Sequence, residues 1–149
     1  VLTRLIGMQC LKVLQESKGI KKGIKQMRKL KPIFIENSEV PVWLSKVAPI
    51  DVWAFSFGPF VVCRGELSEK VRVHETIHFL QQLEMLFVFQ WILYGLFYVI
   101  GRVTKGSWGA AYYGNPFELE AYDNDTDSGY LDNRPWWNWI NYVKDLFKK

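Results

Sequence analysis

Residues 68–82 read Ser68-Glu69-Lys70-Val71-Arg72-Val73-His74-Glu75-Thr76-Ile77-His78-Phe79-Leu80-Gln81-Gln82, and this stretch decides the fold. Ser68 is a helix N-cap, with a hydroxyl that can accept a backbone N–H of the first turn. No Pro or Gly appears after it until Gly95, so the spacing predicts a helix from about Glu69 through His74 and His78 to at least Trp91. Residues i and i+4 of a helix share one face, so His74 and His78 can direct two imidazoles at one ion. Glu75, beside the first, is angled to serve a water at the ion rather than the ion itself. Metal-assisted hydrolysis needs this set: two neutral nitrogen ligands and a carboxylate base. These are the only two histidines in 149 residues, so the pair is not drawn from a histidine-rich background.

Upstream of this helix the pattern is that of strands. The runs at 32–36 (PIFIE), 40–45 (VPVWLS), 50–57 (IDVWAFSF) and 60–65 (FVVCRG) are rich in Val, Ile, Phe and Trp, with turn residues between them. Phe57-Gly58-Pro59-Phe60 reads as the turn of a hairpin. The run Phe60–Cys63 is a candidate sheet edge for an extended peptide, or else an ordinary buried strand.

The first 31 residues differ again. Leu2, Leu5, Ile6, Leu11 and Leu14 make an irregular apolar stripe on an expected helix over 2–17. Gly19 and Gly23 interrupt the lysine-rich stretch over 18–31, and Pro32 ends it. Between Arg4 and Lys31 lie nine basic residues and one acid, Glu16. The expected organisation is a basic N-terminal helical arm over 1–31 and a domain over 32–149. Such an arm suits nucleic acid, anionic lipid, an acidic surface or simply solvent. Nucleic acid is the weakest of these, because no aromatics alternate with the lysines. No small-residue cleavage site closes the apolar start, so a signal peptide is not expected.

Composition sets broader bounds. Hydrophobic residues make up 49% of the chain and aromatics 16%, enough for a packed core and too many for a disordered protein. Cys10 and Cys63 form neither a disulfide framework nor a Cys-x-x-Cys knuckle. A reducing, cytoplasmic setting is expected on that ground, with a membrane-peripheral one left open by the apolar segments downstream.

Downstream, residues 83–100 (LEMLFVFQWILYGLFYVI) form an 18-residue apolar stretch, short of the roughly 20 residues a spanning helix needs. Glu84, Gln90 and Gly95 lie within it, so a buried core helix is expected, with a membrane-inserted hairpin or monotopic anchor as the alternative. A short helix is expected around Phe117–Asp123, opened by Pro116. Over 135–147, Trp136, Trp139, Ile140, Val143 and Phe147 fall at helical spacing; this aromatic helix, residues 83–100 and the basic arm together leave a membrane surface open as a partner. Asp123 to Gly129 superficially resembles a calcium loop. Counted from Asp123, however, Ser128 and Arg134 occupy the places of the required Gly and Glu, so a polar acidic turn is expected.

A catalytic zinc needs a third protein ligand and one open position. With no other histidine, that ligand is a carboxylate or, less readily, a cysteine. The segment Asn115-Pro116-Phe117-Glu118-Leu119-Glu120-Ala121-Tyr122 stands on the expected second helix.

His-Glu-Thr-Ile-His joined to this later Glu-x-x-Ala segment resembles the gluzincin branch of the zinc metallopeptidases, and Glu118-Leu119-Glu120-Ala121-Tyr122 is similar to the Glu-x-x-Ala-Asp of HtpX-like peptidases, with Tyr122 where those carry Asp. The resemblance covers two short motifs within about 50 residues. The small size is similar to that of minimal gluzincins and of compact metallopeptidase-like proteins of phages and bacteria, so a viral origin is one source it suggests. The resemblance implies an α+β zincin-like domain in which a short antiparallel or mixed sheet packs on the motif helix and a second ligand helix. It also implies that Glu118 is the third ligand and Glu120 a supporting or salt-bridging residue. Zn2+ is the expected cofactor, Glu75 the general base and a peptide or protein the substrate. An oxyanion would need a further donor; Tyr112, Tyr113, Tyr122, Arg102 and Arg134 are the candidates. The alternative is a non-catalytic protein, a phage-particle component or membrane-associated factor, that keeps the fold, with or without the metal, and has no turnover.

Overall fold

The computed structural model describes residues 17–148, apart from 21, 24, 25, 28, 49 and 128. The chain divides into two units, residues 1–30 and 31–149. In the first unit, residues 17–20, 22–23 and 26–27 are helical and largely exposed. Most of the helix expected over 2–17, and Cys10 with it, lies outside the described residues.

The second unit is α+β. Its elements are β1 (Ile33–Ile35), α1 (Val40–Ser45), β2 (Ala54–Phe57), β3 (Phe60–Cys63), α2 (Glu69–Glu84), α3 (Val88–Lys105), α4 (Trp108–Tyr113), α5 (Pro116–Asn124), α6 (Tyr130–Asn133) and the 3-10 helix η1 (Asn138–Phe147). The strands form one mixed sheet in the order β1-β3-β2, with β1 parallel and β2 antiparallel to β3. The hairpin turn is where the sequence put it, and Gly58 supplies the positive φ of 57° that a side chain would resist.

One expectation fails here, and one choice between two readings is decided. Residues 40–45 are a helix rather than a strand, because Pro41 sits in its first turn, where the missing N–H costs nothing and the fixed φ is already helical. Phe60–Cys63 is the central strand and not an edge, so the sheet edge beside the hairpin is β2, with Ala54–Phe57.

Local chemistry accounts for the ligand-bearing helices. The Ser68 hydroxyl accepts the Val71 N–H, and the Asn115 side chain accepts the Phe117 N–H with Pro116 in the first turn; each cap contributes about 1 kcal/mol. α2 stops at Glu84 rather than reaching Trp91. Leu86 and Phe87 adopt φ of 50° and 63°, and the chain turns by 112° into α3. No Gly or Pro marks the break. Two such residues cost on the order of 1–2 kcal/mol each. Burial offsets that cost, because the turn brings Met85 against Phe117 and Trp139, and Leu93, Tyr94 and Phe97 of α3 onto the same cluster. A second cluster of Val73, Ile77 and Ala121 joins α2 to α5. The α3–α4 corner is close enough that a Cβ on Gly101 would meet the Ala111 backbone at 3.1 Å.

Polar contacts hold the sheet to α2. Gln82 donates to the Ser56 carbonyl at 3.1 Å and accepts the Gly58 N–H at 2.9 Å, and Arg72 pairs with Glu36 behind β1. A buried ion cluster closes the other side. Arg134 binds Glu120 through Nε and Nη2, and Glu84 through Nη1 at 2.5 Å. Burial pushes the Glu84 carboxyl up while Arg134 opposes it.

Arg134→Ala leaves two buried carboxylates without their cation. The expected cost is about 3–5 kcal/mol, measured as a lowered urea midpoint; Arg134→Lys, which cannot fork to both acids, should recover only part of it.

Candidate metal centre

His74 and His78 project from one face of α2, and Glu118 from the first turn of α5. The atoms that converge are His74 Nε2, His78 Nε2 and Glu118 Oε2. The two nitrogens are 3.1 Å apart, and each lies 3.5 Å from the carboxylate oxygen. All three residues are buried. A tetrahedral ion with bonds of about 2.0–2.1 Å separates its ligand atoms by roughly 3.3–3.4 Å, so this triangle can hold a metal with one position left over.

The remaining polar atom of each candidate ligand is engaged by another group. His78 Nδ1 lies 2.9 Å from Gln81 Oε1, His74 Nδ1 lies 3.5 Å from Asp125 Oδ2, and Glu118 Oε1 accepts the Tyr94 hydroxyl at 2.9 Å. An Nδ1–H directed at those acceptors leaves Nε2 unprotonated and facing the ion. The support runs deeper from Gln81, whose amide donates to the Phe117 carbonyl at 3.1 Å and to Glu120 Oε2 at 2.9 Å. Glu120 therefore reaches the site only through Gln81, as the opposite faces of Glu118 and Glu120 on α5 require.

The electrostatics follow from burial and proximity. Burial opposes charge on His78, yet the Glu118 carboxylate beside it wins and pushes the imidazole up to about 9. Burial would raise Glu118, but His78 and His74 hold it well below the usual carboxylate range. Glu75 is raised, chiefly because it is fully desolvated, and its Oε2 is buried with no hydrogen-bond partner among the described residues.

A cavity of about 720 Å³ fronts the cluster, lined by His74, Glu75, His78 and Glu118. Its far wall is apolar, with Ile50, Val52, Phe55 and Trp91 among its residues. Tyr112, Tyr113 and Tyr122 line it too, and the Tyr122 ring stands 4.5 Å from His74, edge to face. Arg134 and Arg102 do not. Arg134 is consumed by Glu84 and Glu120, and the Arg102 guanidinium sits over the Trp108 ring at 5.6 Å.

Three neighbours of the site were not among the residues expected from sequence. Gln81 stands at i+7 from His74 and i+3 from His78, a face that helical periodicity could have exposed. Asp125 stands two turns beyond Glu118 at the end of α5; rather than belonging to a solvated turn it is buried, with Lys70 Nζ 3.7 Å from its other oxygen. It supplies the acid near a histidine that Tyr122 does not. Tyr94 lies past the unmarked break after α2, so nothing local announces it. Comparison with protein-family models, curated proteins and solved structures finds no match to this chain.

Purified protein should bind one divalent metal ion per chain by mass spectrometry, and His74→Ala and Glu118→Ala should abolish it. Gln81→Ala and Asp125→Ala should weaken binding about 10–100-fold. A ligating imidazole must be neutral, so the proton on His78 competes with the metal. Affinity measured by calorimetry should rise with pH and level off above about 9.

Proposed function

We propose that the protein is a zinc-dependent hydrolase that cleaves peptide bonds, with His74, His78 and Glu118 as ligands and Glu75 as general base. The observation that carries this reading is the Glu75 carboxylate: buried, without a hydrogen-bond partner on Oε2 among the described residues, and lining the same cavity as the three ligands. A site that only stored or structured a metal has no use for that group. The gluzincin resemblance of residues 74–78 and 118–122 supports a peptide substrate.

Zinc supplies Lewis acidity, acidifying water and polarising a carbonyl. Glu75 would take the proton from the attacking water, and its raised affinity for protons lets it hold that proton and pass it to the amine nitrogen as the C–N bond breaks. Tyr122, whose hydroxyl burial pushes up to about 12, stays protonated and can donate to the oxyanion, with Tyr112 beside it. Tyr94 fixes the Glu118 carboxylate so that one oxygen remains for the ion. The edge strand β2 contributes Ala54, Phe55, Ser56 and Phe57 to the cavity wall, where an extended chain could add as a further strand. A volume of about 720 Å³ accommodates one or two side chains of such a chain.

Glu75→Gln should keep full zinc occupancy and lose at least about 100-fold in turnover of a casein or peptide-library substrate. Unchanged turnover would exclude Glu75 as the base, and a zinc-loaded wild type that cleaves nothing would remove the hydrolase reading.

A further inference from the structure

The helix after the break carries a surface that the metal site does not use. From Val88 to Gly101, α3 has no charged residue. One side packs inward through Leu93, Tyr94 and Phe97. On the other side Val88, Ile92, Leu96, Val99 and Val103 succeed one another at helical spacing. All five are exposed, from 51% at Leu96 to 80% at Val103, and Leu86 at the preceding corner is 73% exposed. A helix apolar all round belongs in a core or in a membrane, and only one side of this helix is in the core.

Charge identifies the occupant. Between Met85 and Phe117 the chain has no Asp or Glu; its only charges are Arg102 and Lys105. Trp91 and Trp108 are each 41% exposed, flanking the stripe at its two ends, and Arg102 stacks on Trp108. Rims around soluble docking sites are polar. Lys105 turns away to the Asp145 and Lys148 carbonyls, which leaves Arg102 as the cation at the stripe. An apolar stripe with exposed tryptophans, one arginine and no acid on its own helix complements anionic phospholipid instead. No single helix among the described residues is long and apolar enough to cross a bilayer. The one pair that passes together, α2 with α3, is bent by 112° and its α2 half is largely buried in the protein, which leaves α3 to lie in the interface plane.

We propose that α3 docks on an anionic lipid bilayer, with Val88, Ile92, Leu96, Val99 and Val103 at the acyl boundary and Arg102 among the headgroups. Trp91 of α3 also lines the cavity, its ring centroid 6.2 Å from that of Phe57. Docking through α3 would therefore bring the cavity close to the membrane surface, which suits a polypeptide substrate held there; this consequence rests on the hydrolase reading, whereas the docking itself does not.

The test is sedimentation of the full chain with vesicles of phosphatidylcholine alone and of phosphatidylcholine with phosphatidylglycerol. Wild type should bind the anionic vesicles more tightly and retain much of that binding in high salt, where attraction by the basic arm alone is screened. Ile92→Glu combined with Val99→Glu should lower partitioning at least about tenfold, since two exposed apolar side chains are lost from the seat. If the double variant loses its helical circular dichroism, Val103→Glu, at the most exposed position, replaces it. His74→Ala should bind vesicles as wild type does, so failure of the metal site leaves the docking measurable. Three results would overturn the proposal: no vesicle binding by wild type, equal binding by the charged variant, or a wild-type dimer that the variant turns into a monomer.

Discussion

The fully buried side chain of Gln81 sets the relation between α2 and α5 on which the rest depends. Its amide nitrogen donates to the Phe117 carbonyl and to Glu120, and its oxygen faces His78 Nδ1. One group thus binds the first turn of α5 to the motif helix and orients a candidate ligand. Its polar atoms are dehydrated, so losing any partner would leave an unpaired buried group, and the geometry is held tightly for that reason. Glu120, locked in turn by Arg134 and Tyr130, carries the constraint to Glu84 and the start of the C-terminal segment.

This arrangement concentrates unfavourable chemistry in one place. Two imidazoles and a carboxylate are brought within 3.5 Å of one another in a buried cluster, with a second desolvated carboxylate in the same cavity. In isolation such a cluster destabilises a fold. Here His78 and Glu118 shift in opposite directions and partly neutralise each other, while the apolar cluster around Phe117 and the capped helix starts supply the compensating stability. Such opposed shifts beside a cavity support the proposed chemistry at this site.

The turn at Leu86 and Phe87 has consequences on both sides of α3. By stopping α2 it frees Tyr94 to reach Glu118 and brings the inner face of α3 onto the core. It also turns a continuous apolar stretch into a separate helix with one unpartnered side. The buried core helix expected over 83–100 is therefore only half buried.

The sequence by itself determined whatever depends on neighbours along the chain. The Ser68 cap, the His74–His78 spacing, the Gly58 turn and the short helix opened by Pro116 all come from local stereochemistry and periodicity, whereas the α+β class was read through the family resemblance. Position 118 was legible only through its likeness to a family motif, yet the geometry brings it to both histidines. Pro41 already marked residues 40–45 as a helix start, a local signal that the strand-like composition masked. Tertiary structure alone decided which strand was central, that α2 ends without a Gly or Pro, and that Arg134 serves an ion cluster. It also decided that Asp125 and Tyr94 face the ligands. Each of these turns on contacts between segments distant in sequence, where the burial of Met85, Phe117 and Trp139 or the pairing of Glu84, Glu120 and Arg134 outweighs local preference by several kcal/mol.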